Sequence, residues 1–317
     1  MKHLNYVGSG PYCYSNSLAM VLGENAPSPA VIEFAIGGPF GMQMINIPNK
    51  QLFFFDPFGW DPEIGLDNSL EAMGWESTKV IAKDADDALE KLRAEVANGP
   101  VFVGPVEMGL LRHQPHVNGP MGADHFVVVL QVDQDVLMHD PAGYPYATLP
   151  VKDFMAAWKT DTLGYGKSYT MRTNFKQVQK FSEEEILRRS IPRALNYLQM
   201  KDRPDMPPGS TGNGEAAESL AKSIEEGLGA DLHGQLVYFA VQVGARRSSD
   251  AATCLARIGY DRSNVAMGDI AQTLGSLQYP LVIKDITTAV SILRRLRPLY
   301  AVLLEALEKD AESNKGM

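Results

Sequence analysis

Residues 124–141 read DHFVVVLQVDQDVLMHDP: an apolar run, a short polar break and a second apolar run. This pattern is typical of a β-hairpin, because β-branched residues favour strands and short polar breaks favour turns. It predicts two antiparallel strands, over residues 126–132 and 136–139. His125 lies at the start of the first strand and Asp140 at the end of the second.

The length of the turn decides whether His125 and Asp140 meet. A two-residue turn would pair Val132 with Asp135. The same register would place Asp140 opposite Val127. Opposed residues share a face of the sheet, and so do alternate residues along one strand, so Asp140 would lie diagonal to His125 and within reach of it. A three-residue turn would point Asp140 to the other face, and a four-residue turn would restore it.

A third chemically active residue, Cys13, lies far upstream, after a glycine-containing segment. The apolar period over residues 12–22 predicts a helix, with Pro11 at its first position and Gly23 as its stop. Cys13 would then lie in the first turn, where the helix dipole and unpaired N–H groups favour a thiolate. Its backbone N–H could also stabilise a developing oxyanion.

Each of these three residues has a plain structural explanation when it is taken alone. A free cysteine is usually a small buried hydrophobic residue, a histidine at a strand end can bond a loop, and an Asp-Pro pair forms turns. Together, however, they supply a nucleophile, a base and a group that fixes the tautomer of the base. We therefore predict a catalytic site with Cys13 as nucleophile, His125 as base and Asp140 as orienter.

The same residues carry a family resemblance. Cys13 with Ser17-Leu18-Ala19-Met20, His125 with the apolar run after it, and Asp140-Pro141 resemble the papain-like, C39-type cysteine peptidase fold. Within that fold, residues 8–172 are similar to the N-terminal domain of butirosin biosynthesis protein H, above all over residues 11–18. The resemblance implies an α+β domain with a helix-borne cysteine and an antiparallel sheet carrying His and Asp, followed by an all-α C-terminal domain.

The resemblance also implies an activity. Proteins of this kind are acyltransferases of antibiotic and other natural-product biosynthesis, which take an acyl group from an acyl-carrier-protein thioester onto cysteine and pass it to a small amine. One departure concerns the oxyanion hole, for which papain-like peptidases use a Gln shortly before the cysteine. Here no Gln precedes Cys13, so Asn5 and Asn16 are the candidate amide donors. A missing donor costs about 10²–10³-fold in rate, which favours an activated thioester over a peptide as substrate.

Near residue 178 the sequence changes from mixed helix and strand patterns to a mainly helical period. We predict a papain-like catalytic domain over residues 1–178 and a helical domain over 179–317, with a mobile loop at about 201–214 and a polar tail from 309. Further strands are predicted over residues 52–55, 79–82, 101–106 and 168–172, and helices over 84–96 and 153–158. In the second half, helices are predicted over residues 183–198, where Ser182 and Glu185 form a capping box, and over 215–228, 232–245, 250–258, 265–274 and 283–307.

The amino-acid composition limits the classes of partner that the protein is expected to bind. The formal net charge of -9 argues against nucleic acid and anionic membranes, which need a basic face. The N-terminus lacks the apolar region of a signal peptide, and no run of about 18 apolar residues occurs, so we expect a cytoplasmic protein with free thiols and no cofactor. His113 and His116 flank Pro115 and suggest a loop beside the site rather than a metal site. Cys254 is expected in the core.

Two alternatives to the acyltransferase stay open. A hydrolase, whether peptidase, amidase or thioesterase, would use the same triad with water as acceptor, since the acceptor depends on how the pocket excludes water. A non-catalytic binding member of the fold would also fit, because the fold alone does not decide function. The apolar faces of the helical half, as at Leu236 and Phe239, must be buried in its own core, over the active-site mouth or in a homodimer.

Overall fold

The computed structural model describes residues 11–48, 50–115, 117, 119–201 and 206–314. Its contacts divide the chain into two compact units. The sheet unit consists of Tyr12–Pro29 and Met73–Lys180, and the helical unit combines Ala30–Ala72 with the chain from Phe181 onward. The class is α+β, as predicted, with antiparallel sheets and a helical C-terminal region.

The elements are numbered in chain order. The strands are β1 Gln43–Ile47, β2 Lys50–Phe54, β3 Trp75–Ile81, β4 Val101–Glu107, β5 Asp124–Val132, β6 Asp135–Asp140, β7 Tyr144–Pro150, β8 Thr170–Gln177 and β9 Thr211–Gly212. The helices are α1 Cys13–Leu22, α2 Pro29–Ile36, α3 Pro62–Met73, α4 Ala85–Val96, α5 Val151–Trp158, α6 Glu183–Leu198, α7 Asn213–Gly227, α8 Ala230–Gln235, α9 Val241–Arg257, α10 Asp261–Ser276, α11 Gln278–Val282 and α12 Ile286–Ser313. A π-helical turn, Leu236–Ala240, joins α8 to α9.

The sheet unit is built on a six-stranded antiparallel sheet of order β3-β8-β4-β5-β6-β7. Alternate residues of β5 point to opposite faces. Val127 and Val129 belong to a core that includes Leu92 of α4 and Trp158 of α5. Phe126 instead contacts α1 on the other face. Helices therefore cover both faces, and the start of β5 lies against the start of α1.

The helix ends test the capping predictions. In α6, Ser182 and Glu185 form the predicted capping box, and the predicted bounds are confirmed. Helix α1 begins at Cys13, so the prediction that Pro11 is its first residue is wrong, although Cys13 does lie in the first turn. The helix ends before Gly23, which has φ +65°, a conformation that glycine adopts without strain.

The units differ from the predicted domains in the placement of residues 30–72. Strand β1 pairs with β2 and with β9, and Arg247 of α9 donates a 2.6 Å hydrogen bond to Glu33 of α2. These contacts join residues 30–72 to the C-terminal half, whereas the predicted first domain, 1–178, kept them with the catalytic residues. The change of unit after Lys180 lies close to the predicted boundary at 178.

Three predictions in the helical half need correction. The predicted loop at 201–214 contains β9 and the start of α7, and its residues 202–205 lie outside the described residues. The predicted tail from 309 is helical as far as Ser313. The predicted break between helices at 245–250 does not exist, because Ser248 donates to the Gly244 carbonyl at 2.9 Å and stays within the helix.

Burial partly agrees with the predicted apolar face of the helical half. Leu236 is buried, whereas Phe239 is exposed, since both lie in the π-helical turn, which shifts the residues that face inward. In the described part of the chain, no helix is both long and apolar enough to cross a membrane.

Candidate active site

A junction between α1 and β5 places Cys13 beside His125. Ser17, one turn after Cys13 on the same helix face, donates a 3.0 Å hydrogen bond to the Phe126 carbonyl. The rings of Tyr14 and Phe126 pack edge to face with centroids 5.9 Å apart. Because both contacts involve the neighbour of His125, they fix the cysteine and the histidine relative to each other.

The β5–β6 hairpin brings Asp140 to His125 by a route that the sequence did not predict. Val132 pairs with Val136 rather than with Asp135, so the turn encloses three residues and the predicted two-residue turn is wrong. A β-bulge between Val129 and Gln131 then shifts the register back, and Val128 pairs with His139. Continuing this register places Asp140 opposite Val127, its predicted position. The three-residue turn shifts the register by one residue and the bulge shifts it back by one, so Asp140 reaches the position that a two-residue turn would have given.

Asp140 accepts four hydrogen bonds inside the sheet unit. Its Oδ1 accepts from His125 Nε2 at 2.7 Å and from the Ala142 backbone N–H at 2.8 Å. Its Oδ2 accepts from His113 Nε2 at 2.7 Å and from Gln114 Nε2 at 2.8 Å. The Asp140 side chain is 0% exposed. Burial alone would raise the pKa of Asp140, but the hydrogen bonds from His113 and His125 outweigh it and hold that pKa far below its ordinary value.

The two ring nitrogens of His125 have different partners. Because Nε2 donates to Asp140, Nδ1 is the nitrogen that remains for the hydrogen bond with the Cys13 sulfur. Burial acts to lower the pKa of His125, but the hydrogen bonds to Asp140 and Cys13 raise it to about 10. The imidazolium form, which is the partner that a thiolate needs, is therefore stabilised next to the sulfur.

The sulfur of Cys13 is held in its protonated form more strongly than its helix position predicted. Burial raises the pKa of the Cys13 thiol, and the hydrogen bond and charge of His125 oppose that rise without cancelling it. The Asp124 carboxyl adds to the rise. Desolvation is thus the largest effect on the pKa of Cys13, and the stabilisation of a thiolate by the helix N-terminus stays a prediction.

Acidic residues shape the rest of the site. Asp124 accepts a 2.7 Å hydrogen bond from the Tyr165 hydroxyl, and burial raises its pKa. Glu107, opposite Asp124 in the β4–β5 pair, accepts from the backbone N–H groups of Gly109, Met121 and Gly122 at 3.0–3.1 Å and from the hydroxyl of Thr162. Glu107 therefore fixes the chain on both sides of the segment that carries His113 and Gln114.

The structure brings Cys13, His125 and Asp140 together, whereas the oxyanion donors stay predictions. Asn5 and His116 lie outside the described residues. Asn16 is half-buried in α1, where its backbone N–H donates to the Tyr12 carbonyl at 2.9 Å. Among the residues that the structure describes, no group of three or more side chains is placed to bind a metal ion. Cys254 is buried, as predicted, and burial raises its pKa to about 12.

Sequence reasoning missed the contribution of two side chains to Asp140. His113 and Gln114 were recognised only as part of a loop beside the site, although both donate hydrogen bonds to the Asp140 carboxylate. Ser17 was missed as the residue that joins α1 to β5. The spacing of four residues between Cys13 and Ser17 was an available signal, because it places both on one helix face.

We expect Ser17→Ala to lower the free energy of unfolding of the sheet unit by about 1–3 kcal/mol, because the buried Phe126 carbonyl loses its hydroxyl donor. Alkylation of Cys13 should slow as well, since the junction loosens. Urea denaturation and iodoacetamide kinetics would measure the two effects. Ser190→Ala is the matched control, because Ser190 is also buried but donates within its own helix, to Ile186 at 2.8 Å. Equal behaviour of the two variants would contradict the role of Ser17.

The fold and the site define an α+β protein in which a helix-borne cysteine meets a histidine and an aspartate on neighbouring antiparallel strands. Comparison with known proteins adds a family. Residues 207–308 match the model of the YobF C-terminal domain. The chain is 31% identical over 255 residues to a protein of Bacillus subtilis (strain 168) described as uncharacterized protein YobF, covering 78% of this chain and 80% of that protein. The chain therefore belongs to the YobF family.

Proposed function

We propose that this chain is a cysteine-dependent acyltransferase, in which Cys13 takes an acyl group from a thioester and passes it to an amine. The observation that carries the proposal is the hydrogen-bonded series Cys13–His125–Asp140, with both members of the His125–Asp140 pair buried. The helix-borne cysteine and the antiparallel strands that carry His and Asp also support a papain-like fold.

The first half of the reaction acylates the enzyme. Loss of one proton from the Cys13–His125 pair leaves a thiolate beside an imidazolium. The thiolate attacks the carbonyl carbon of the thioester, a new C–S bond forms, and the bond to the donor sulfur breaks. The donor leaves as a thiol after it takes the proton from His125. Asp140 keeps the His125 ring oriented during both transfers.

The second half transfers the acyl group to the acceptor. The amine nitrogen attacks the Cys13 thioester, the amine proton passes to His125, and the Cys13 thiolate leaves with the amide formed. One feature favours an amine over water. Asp124 is an acidic group within electrostatic range of Cys13 and His125, and such a group attracts a cationic ammonium.

The resemblance to the butirosin domain supports the choice of donor and setting. It favours an acyl-carrier protein as the thioester donor, a small amine as acceptor and a role in natural-product biosynthesis. A thioester also needs less oxyanion stabilisation than an amide, which agrees with the absence of a Gln before Cys13.

We expect Cys13 to become acylated when the protein is incubated with N-acetylcysteamine thioesters of acyl groups of increasing length. Intact-mass spectrometry would detect the adduct, and peptide mapping would locate it. Cys254→Ala should be acylated as wild type is, because that thiol is buried and its pKa is raised to about 12. Cys13→Ala should carry no acyl group.

The fate of the adduct then identifies the acceptor. Discharge that a small amine such as ethanolamine accelerates, with the amide as product, supports the acyltransferase. Discharge at one rate with and without amine identifies a hydrolase instead. If no thioester in the series acylates Cys13 while iodoacetamide still reacts there, the proposal fails and a binding role takes its place.

A further inference from the structure

The Asp140 carboxylate is shared between two histidines, one on each oxygen. His125 Nε2 lies 2.7 Å from Oδ1, and His113 Nε2 lies 2.7 Å from Oδ2. Both histidine side chains are more than nine-tenths buried. A nucleophile–base–carboxylate site needs only one histidine on the carboxylate, so the second has no assigned task.

The surroundings of His113 identify Nε2 as its donor atom. Its Nδ1 is buried and has no hydrogen-bond partner among the described residues, so a proton on that atom would have no acceptor. The ring packs edge to face on Tyr144, with centroids 5.5 Å apart, and Tyr144 pairs with Asp140 across β6–β7. His113 is therefore fixed in place with its Nε2–H directed at Asp140.

We propose that His113 is a positioning residue that, by donating to Asp140, limits how strongly this carboxylate holds the His125 imidazolium. The inference rests on the proposed function, because it assigns a role within the same site. A carboxylate that accepts several hydrogen bonds has less negative charge available for each donor. His113 therefore competes with His125 for the charge of Asp140, while Gln114 and Ala142 keep the carboxylate in position.

The competition serves the proposed reaction. His125 must release its proton to the leaving thiol, and a base that binds the proton too tightly releases it slowly. The groups that act on His125 are Asp140, Cys13 and Asp124, and all three favour its charged form. Gln114, Ala142 and His113 all oppose this effect by donating to Asp140, and His113 makes the shortest of these three hydrogen bonds, at 2.7 Å.

We expect His113→Ala to raise the pKa of His125 by about one unit, because Asp140 then directs more of its charge to the remaining histidine. His113→Gln should return it close to the wild-type value, since the glutamine amide can place a donor where Nε2 lies. The measurement is a ¹³C NMR titration of the histidine ring carbons. The chain has only six histidines, and the signal of His139, which bonds the Tyr146 backbone N–H and not Asp140, is the internal reference.

Each outcome decides the inference. A His125 pKa that is unchanged or lowered in His113→Ala overturns it, because His113 would then be structural support alone. Failure of His113→Gln to restore the wild-type value overturns the donor role as well. The titration uses no acyl substrate, so its result is independent of whether Cys13 accepts an acyl group. Urea denaturation of both variants verifies that the sheet unit is folded.

Discussion

Replacing His125 by alanine is expected to slow alkylation of Cys13 by iodoacetamide about 10- to 1,000-fold near neutral pH. Burial raises the pKa of the Cys13 thiol, and the hydrogen bond and charge of His125 are the main opposing effects. Their loss leaves burial unopposed, which raises the pKa of the thiol further. Only the thiolate reacts, and its fraction falls tenfold for each unit while the thiol predominates.

The experiment follows the alkylation rate against pH by mass spectrometry. In wild type, the rate should increase as the Cys13–His125 pair loses its first proton, and in His125→Ala the increase should move to higher pH. His139→Ala is the matched control, because His139 lies on the same hairpin but bonds the Tyr146 backbone N–H at 3.0 Å. Superimposable profiles for wild type and His125→Ala would mean that no Cys–His pair is assembled.

Asp140→Asn should have the second large effect, because an amide offers one acceptor and one donor where the carboxylate offers two acceptors. Of the N–H groups of His113, Gln114, His125 and Ala142, two would lose their acceptor. Each buried donor left unpaired costs about 1–3 kcal/mol of folding free energy. Without the carboxylate, His125 also loses its charge next to the sulfur, so we expect acyl transfer to slow about 10²–10⁴-fold.

The loss of stability should depend on pH in a defined way. The pKa of Asp140 lies below its ordinary value of 3.8 in the folded protein, so its contribution is present above that pH and is lost as the pH falls. The pKa of His125 is raised from 6.5 to about 10, so its contribution is present below pH 6.5 and is lost as the pH rises through about 10. The difference in the free energy of unfolding between wild type and Asp140→Asn should therefore be largest between pH 3.8 and pH 6.5.

Urea denaturation across that pH range measures the difference. Asp310→Asn is the matched control, because Asp310 is also buried and accepts from the N–H and the hydroxyl of Ser263 at 2.8 Å each. It should cost stability but leave Cys13 alkylation unchanged. A stability difference for Asp140→Asn that does not vary with pH would show that Asp140 and His125 are not charged in the folded protein.

The hairpin shows how far the sequence could predict the site. The two apolar runs and the polar break predict the strands of β5 and β6, because local propensity and periodicity decide them. The turn length and the bulge between Val129 and Gln131 depend instead on cross-strand contacts, which a single sequence does not display. The meeting of His125 and Asp140 was therefore predicted, but for a turn that the protein does not have.

Residues 30–72 show a second limit. Helix α2 has the sequence PAVIEFAI, a nearly uniform apolar run with no helical period, and it was not predicted. Its Glu33 is fully buried and paired with Arg247, a residue 214 positions away. Buried ion pairs between distant segments leave no local pattern, so the sequence could not assign this segment to the C-terminal half. The roles of His113 and Gln114 were not predicted for the same reason. Their segment is held by hydrogen bonds from the Gly109 and Met121 backbone to the Glu107 carboxylate, and the sequence pattern does not show these bonds.

The three-residue turn and the β-bulge of the β5–β6 hairpin together limit which insertions and deletions the hairpin can accept. Whether Asp140 faces His125 depends on the count of residues between them, with the bulged residue excluded. Adding or removing one residue in the turn, with β6 re-paired one residue out of register, would turn the Asp140 carboxylate away from the His125 imidazole and would move Val136 and Met138 off the core face. Only a matching change at the bulge preserves the site. The site and the packing of the hairpin therefore place the same constraint on the number of residues between His125 and Asp140.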